Sequence, residues 1–136
     1  MSDTRLTLRV DFGPSRSVGP GKIRLLEAIA RSGSISQAGR TLGMSYRRAW
    51  LLIDDMNQCF RHAVVSAKPG GSQGGGAVLT EFGAELVRDY RAIETAAAVA
   101  AKKRLRGLEA ALRKSSAAKS SAKSAPKKTS IRRRKP

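Results

Sequence analysis

The 136-residue sequence predicts a mainly α-helical protein with a small β-sheet, a long C-terminal helix and a basic tail. Three patterns carry this prediction: two helical stretches joined at a glycine, two short apolar stretches around a glycine-rich loop, and a long series of apolar residues spaced by three and four. The expected organisation is a domain over residues 1–80, a long helix over residues 81–114 and a tail over residues 115–136.

The chain begins with a predicted strand and a predicted helix. Apolar and polar residues alternate over residues 6–12, as in a half-buried strand, and Gly13-Pro14 ends the alternation. Apolar residues near helical spacing then predict a first helix over residues 22–31.

Residues 34–60 predict two further helices separated by a tight turn. Ser34 and Gln37 have the spacing of a capping box, in which a hydroxyl and an amide each satisfy a backbone donor. Gly43 is expected to end the second helix, because glycine adopts the left-handed conformation without steric cost. Ser45 can then cap a third helix. Such a pair is typical of the helix-turn-helix motif, whose second helix enters the major groove of DNA.

The third helix starts with an aromatic and two basic residues, Tyr46, Arg47 and Arg48. The first turn of a recognition helix presents side chains to base edges, and arginine pairs with guanine O6 and N7. These three residues are therefore the main candidates for DNA contact. The alternative is a first turn that is merely solvated, and which arginine would read a base and which a phosphate stays open.

Residues 64–67 and 77–80 predict two short strands, and the loop between them has five glycines. A β-hairpin after a helix-turn-helix forms a wing, so the predicted fold is a winged helix-turn-helix. The strand over residues 6–12 could pair with it, since an isolated hairpin is only marginally stable. Further candidates for DNA contact are Ser34, Ser36, Gln37, Ser45, Lys68 and Gln73. For the first three, plain capping of the second helix is an equally good explanation.

Thr80 is expected to cap the long final helix. The apolar seam of this helix spans about eight turns, which is too long to bury against so small a domain, so a homodimer is expected. The predicted interface residues are Leu86, Tyr90, Ile93, Ala97 and Leu105. Trp50 and Tyr90 lie at core-compatible helix positions and are expected to pack rather than to stack on bases.

The formal net charge of +17 is unevenly spread. Residues 1–101 hold 13 Lys and Arg against 9 Asp and Glu, a net of +4, whereas residues 102–136 hold 14 against Glu109 alone, a net of +13. Such asymmetry indicates a polyanionic partner, most often nucleic acid. Residues 115–136 are rich in Ser, Ala, Lys and Arg and have almost nothing apolar to bury beyond Ala, so disorder is expected there.

The sequence lacks the marks of a secreted, membrane or catalytic protein. It has no signal peptide and no apolar run near the ~20 residues of a membrane span, and its single cysteine suits a reducing compartment. A cytoplasmic, nucleoid-associated protein is therefore expected. Cys59 and His62 are two potential ligands without partners, which do not make a zinc site. Neighbouring Asp54 and Asp55 lie on different helix faces and therefore suggest no acid/base pair, and the sequence shows no nucleophile–base combination. No enzyme activity, metal or cofactor is expected.

Four motifs, in this order and spacing, resemble a single family: residues 33–38 (GSISQA), Ser45-Tyr46 with Ala49-Trp50, Met56-Asn57-Gln58, and residues 74–80 (GGGAVLT). They are similar to the N-terminal winged-helix domain of the ModE molybdate-responsive transcriptional regulators, over about residues 5–95. The resemblance implies a dimeric bacterial DNA-binding domain, with the helix from Ser45 in the major groove and the glycine-rich hairpin as wing. ModE regulators carry C-terminal molybdate-binding domains that this sequence does not show, so molybdate is not expected as a ligand.

The expected function is a sequence-selective transcriptional regulator that binds double-stranded DNA as a homodimer. The alternative is a nucleoid-architectural protein whose histone-like tail supplies sequence-independent affinity. A protein–protein module that docks its tail on acidic partners or on a membrane ranks third, because Arg47 and Arg48 would then have no role.

Overall fold

The computed structural model describes residues 3–68 and 76–114, and the chain divides after Ala101 into two units. The predicted class, mainly helical with a small sheet, is confirmed. Among the described helices, none combines the length and the apolar character that a membrane span requires. The described elements, in chain order, are β1 (Val10–Asp11), β2 (Ser17–Val18), α1 (Pro20–Ser32), α2 (Ile35–Thr41), α3 (Tyr46–Cys59), β3 (Val65–Ala67), β4 (Ala77–Leu79) and α4 (Glu81–Ala110).

The main core lies between α1, α2, α3 and the β3–β4 hairpin. Helix α3 contributes Ala49, Ile53 and Met56, which are fully buried as their spacing predicts. The other buried members come from α1, α2 and the hairpin: Leu25, Leu26, Ala28, Ile29, Ala38, Val64 and Ala77. One side of α3 is therefore buried in the core, so only its opposite side is available to contact a ligand.

A smaller cluster joins α4 to the start of the chain. Val18, Ile23 and Tyr90 are buried together, and the Tyr90 hydroxyl donates to the carbonyl oxygen of Leu8 at 2.6 Å. Burial raises the pKa of the Tyr90 phenol above its ordinary value. Tyr90 is thus a packing residue, as predicted.

The N-terminal strand is shorter than predicted and pairs elsewhere. Only Val10–Asp11 is a strand, and it pairs antiparallel with Ser17–Val18 in a two-stranded sheet of its own. The Phe12 amide donates to the carbonyl of Arg16 at 2.7 Å, which closes a local turn. The predicted pairing of residues 6–12 with the later hairpin is therefore wrong, because a nearby partner costs less chain entropy to reach than a distant one.

The later hairpin consists of β3 and β4, with Val65 opposite Leu79 and Ala67 opposite Ala77. Its additional support comes from the end of α1 rather than from β1. Ser34 forms a bridge with Gly76, and the Ala77 amide donates to the carbonyl of Gly33 at 2.9 Å. These two contacts tie the hairpin to the connection between α1 and α2.

Side chains also fix the connections from α3 to β3 and from β4 to α4. The Asn57 amide oxygen accepts from the Val64 amide at 2.8 Å, and the Thr80 hydroxyl donates to the carbonyl of Ala63 at 2.6 Å. The same hydroxyl accepts from the Gly83 amide at 2.9 Å, which is the predicted N-cap of α4. Gly83 lies so close to Val64 that a side chain at this position would collide with the Val64 carbonyl oxygen.

An ion pair links α1 to α4. Arg91 donates from Nη2 and Nε to the two carboxylate oxygens of Glu27, at 2.8 and 2.9 Å, and from Nη1 to Glu94 at 2.6 Å. Hydrogen bonding from Arg91 holds the pKa of the Glu27 carboxyl below its ordinary value, against the opposing effect of burial.

Because of the Glu27–Arg91 pair, the free energy of unfolding should depend on pH in the acid range. Because the pKa of Glu27 is lowered in the folded state, its stabilising effect is present above the unfolded pKa and is lost as the pH falls through the folded pKa. Glu27→Gln should lower the free energy of unfolding at pH 7 by roughly 1 kcal/mol, in the range of partly exposed pairs. It should also flatten the decline of stability below pH 4.5. Urea unfolding at several pH values measures both effects. Glu85→Gln, on an exposed position of α4, is the control and should change neither.

Candidate nucleic-acid interface

Of the two hydrogen bonds predicted for the capping box at the start of α2, one forms. The Ser34 hydroxyl accepts from the Gln37 amide at 3.0 Å, but the reciprocal bond from the Gln37 side chain is replaced. Gln37 Oε1 accepts from Arg40 at 2.8 Å, and the Ser34 amide donates to the Ser32 hydroxyl at 3.2 Å. The full capping box is therefore wrong, because Arg40, one turn further along α2, competes for the amide oxygen.

A tight turn joins α2 to α3. Gly43 has a φ of 73°, which confirms the predicted left-handed stop, and the Met44 amide donates to the carbonyl of Gly39 at 2.9 Å. A Cβ on Gly39 would lie 3.2 Å from the Met44 carbonyl oxygen, so this position of α2 favours glycine. The Ser45 hydroxyl accepts from the Arg48 amide at 3.0 Å, which is the predicted cap of α3. The turn and the two caps set the direction in which α3 leaves α2.

The first two turns of α3 carry exposed basic and apolar side chains. Tyr46 is 52% exposed, and Arg47 and Arg48 are exposed, with no ion pair to either arginine among the described residues. Trp50 is 45% exposed, so its predicted role in packing is wrong. The reason is geometric, since Trp50 follows Ala49 on the helix and faces the rim of the core rather than its centre.

Two shallow grooves adjoin these side chains. One, of about 440 Å³, is lined by Tyr46, Arg47, Trp50, Leu51 and Asp54. The other, of about 330 Å³, lies between α3 and the β3–β4 hairpin and shares Tyr46 and Trp50 with the first. Leu51, which is 54% exposed, was not among the sequence candidates. Leu51 lies four residues after Arg47 and three before Asp54, and this spacing in the sequence places the three side chains on one face of a helix.

The remaining candidates lie around the start of α2. Ser36 is half-buried in its first turn, and Lys68 is exposed at the end of β3. The ammonium nitrogen of Lys68 lies 3.7 Å from where a Cβ on Gly33 would be, so this cation is close to the cap residue Ser34. The structure thus brings Lys68 next to Gly33, the residue before Ser34, while Gln73 lies outside the described residues.

The predicted dimer residues on α4 fall into two groups. Tyr90 is buried and Leu86 is half-buried against both core clusters, so these two side chains already pack within the chain. Ile93 is 49% exposed, and Ala97 and Leu105 are half-buried. For metals, no group of three or more His, Cys, Asp or Glu side chains that could hold an ion occurs in residues 3–68 and 76–114.

More than half of this chain is similar in sequence to known proteins. MopB of Rhodobacter capsulatus, a molybdenum-pterin-binding protein, is 48% identical over 81 residues, which are 60% of this chain and 30% of MopB. The DNA-binding transcriptional dual regulator ModE of Escherichia coli K12 is 49% identical over 71 residues, 52% of this chain and 27% of its own. The chain is a relative of the ModE regulators. The transcriptional regulator ModE of Haemophilus influenzae is 31% identical over 94 residues, 69% of this chain and 37% of its own.

The ModE resemblance predicted from the four motifs is therefore confirmed. The chain spans about a third of the length of these relatives. No family model matches the chain.

Proposed function

We propose that this protein is a transcriptional regulator that binds double-stranded DNA through a winged helix-turn-helix. The observation that carries the proposal is the first turn of α3, where Arg47 and Arg48 are exposed, carry no ion pair among the described residues, and follow a tight turn from α2. An exposed pair of cations opening a helix suits a polyanion. The relative in Escherichia coli, 49% identical over 71 residues, is named as a DNA-binding transcriptional regulator.

In this proposal α3 is the recognition helix and enters the major groove with its N-terminal turns. Arg47 and Arg48 then lie at base edges and phosphates, with Tyr46 beside them and the capped N-terminus at Ser45. The β3–β4 hairpin is the wing. Phosphate contacts of the remaining candidates fix the register but carry no sequence information. These candidates are Lys68 and the capped start of α2, with Ser34, Ser36 and Gln37, together with Gln73 from the wing loop.

The exposed part of the α4 seam supports a homodimer. Ile93 leaves about half of its surface in water, and Ala97 and Leu105 continue the seam four and twelve residues further on. In the dimer these residues pair with the same residues of a second copy, because a two-fold interface is self-complementary. A dimer presents two recognition helices, so the proposed site is roughly palindromic.

Footprinting on genomic fragments tests the proposal. The expected result is a small number of discrete protected sites, each with two related halves. Uniform protection at every protein concentration would contradict sequence selectivity, and protection of single half-sites would contradict the dimer. We propose that the protein is located in the cytoplasm and is associated with the nucleoid.

The second candidate function is a nucleoid-architectural protein, and the charge of the C-terminal segment favours it. Residues 115–136 contain eight Lys and Arg and no acidic residue. Removing them should lower the slope of log K against log salt by up to about 7, since each neutralised phosphate contributes ~0.9. Under the regulator proposal, footprints should persist after this deletion, at a raised protein concentration. If all binding disappears at physiological salt, the architectural function is favoured. Gel shifts at several salt concentrations measure the slope.

A further inference from the structure

Helix α3 leaves about half of the surface of two large apolar side chains uncovered. Trp50 and Leu51 leave 45% and 54% of their surface in water, although the helix already buries Ala49, Ile53 and Met56. Exposed apolar side chains that form one continuous surface with a polar rim mark an interaction site, and Tyr46, Trp50 and Leu51 line a single groove. Here they lie between two polar residues of the same face, Arg47 and Asp54, at the spacing i, i+3, i+4, i+7.

The groove beside these residues combines an apolar centre with two charged ends. It has a volume of about 440 Å³, and Arg47 and Asp54 line it together with Tyr46, Trp50 and Leu51. Tyr46 and Trp50 extend the apolar surface to the adjoining groove, which Ile35 of α2 and Val65 of β3 also line. The occupant must therefore offer apolar groups flanked by a hydrogen-bond acceptor and a hydrogen-bond donor.

The base edges of the DNA major groove have this chemistry. The C5-methyl of thymine is the apolar group they present, guanine O6 and N7 accept from arginine, and cytosine N4 donates to a carboxylate. The phosphate backbone is a poorer match, because Asp54 would repel it. The major groove is also wide enough to admit an α-helix.

We propose that Leu51 and Trp50 read thymine C5-methyl groups in the DNA site, between the contacts of Arg47 and Asp54. This inference rests on the proposed function and deepens it, since it names the base feature that the exposed apolar side chains recognise. It predicts a site with thymines next to G·C pairs in each half.

The experiment uses the full chain and a DNA site selected from a randomised duplex library. Each thymine of the site is replaced in turn by deoxyuridine, which lacks only the C5-methyl group. At one to three thymines in each half-site, the replacement should weaken binding about three- to fivefold, the effect of uncovering one methyl-sized group. For Leu51→Ala or Trp50→Ala, at least one of these thymines should become insensitive, because its partner has been removed.

Val99→Ala is the matched control, since Val99 is 70% exposed on α4 and should leave the whole deoxyuridine profile unchanged. Thermal unfolding should show that the exposed truncations on α3 keep the fold. A selected site without any thymine that is sensitive to deoxyuridine would overturn the inference and leave the regulator proposal standing. Sensitivity that persists in both α3 variants would overturn it as well, since the methyls would then be read elsewhere. Failure of the library to yield any site would overturn the regulator proposal itself, and the inference with it.

Discussion

Arg47→Ala combined with Arg48→Ala should weaken binding to a selected DNA site by roughly a hundredfold or more. Both side chains are exposed in the first turn of α3, and neither forms an ion pair among the described residues. Each arginine that pairs bidentately with guanine contributes about 1–3 kcal/mol of discrimination, and one that contacts phosphate contributes electrostatic affinity. Losing one contact of each kind removes selectivity as well as affinity. The measurement is a titration against the selected site and against an unrelated duplex.

The control for this pair is Arg61→Ala with Arg88→Ala, which removes the same charge from exposed positions outside α2, α3 and the hairpin. The control should weaken binding to both duplexes equally and modestly. Equal losses for the two double variants would show that only net charge matters, and the assignment of α3 as recognition helix would then fail. Thermal unfolding should be similar for all these proteins, because none of the four side chains is buried.

Gly83→Ala should destabilise the fold by roughly 3 kcal/mol or more. A Cβ at this position would collide with the Val64 carbonyl oxygen and would lie 3.0 Å from its carbonyl carbon. These atoms are backbone, so α4 would have to move away from the start of β3. Such a shift would also disturb the Thr80 hydroxyl, which bonds both the Ala63 carbonyl and the Gly83 amide. Urea unfolding measures the loss.

Gly107→Ala is the matched control in the same helix. A Cβ on Gly107 would have no atom within 4 Å, so the substitution should add up to about 1 kcal/mol of helix stability. Wild-type stability of Gly83→Ala would contradict the close approach of α4 to Val64. A loss of similar size in both variants would indicate a general intolerance of α4 to alanine rather than a specific contact.

The local features of the fold could be predicted from the sequence. Ser34, Ser45 and Thr80 accept from amides three residues ahead, and Gly43 takes the left-handed conformation that ends a helix. Each of these outcomes depends on atoms within a few positions along the chain. The burial of Ala49, Ile53 and Met56 also follows from helical spacing, because one face of α3 has to meet the core.

The tertiary structure decided which surfaces are covered. Trp50 is exposed and Tyr90 is buried, although both occupy similar positions in an apolar pattern. The difference comes from partners remote in sequence: Tyr90 meets Val18 and Ile23 and donates to Leu8, while about half of the Trp50 surface stays in water. The contact of Gly83 with Val64 is equally invisible in the sequence, since it depends on where the hairpin returns the chain.

The sequence by itself therefore determined the helices, their caps, the uneven charge and the resemblance to ModE regulators, because these depend on residue type and short spacing. Only the tertiary structure decided that β1 pairs with β2, that the hairpin meets Gly33 and Ser34, and that Leu51 and Trp50 stand exposed between Arg47 and Asp54. Burial and pairing are settled by competition between partners for the same surface. A pattern of spacings records which side of a helix is apolar, but not which partner reaches it.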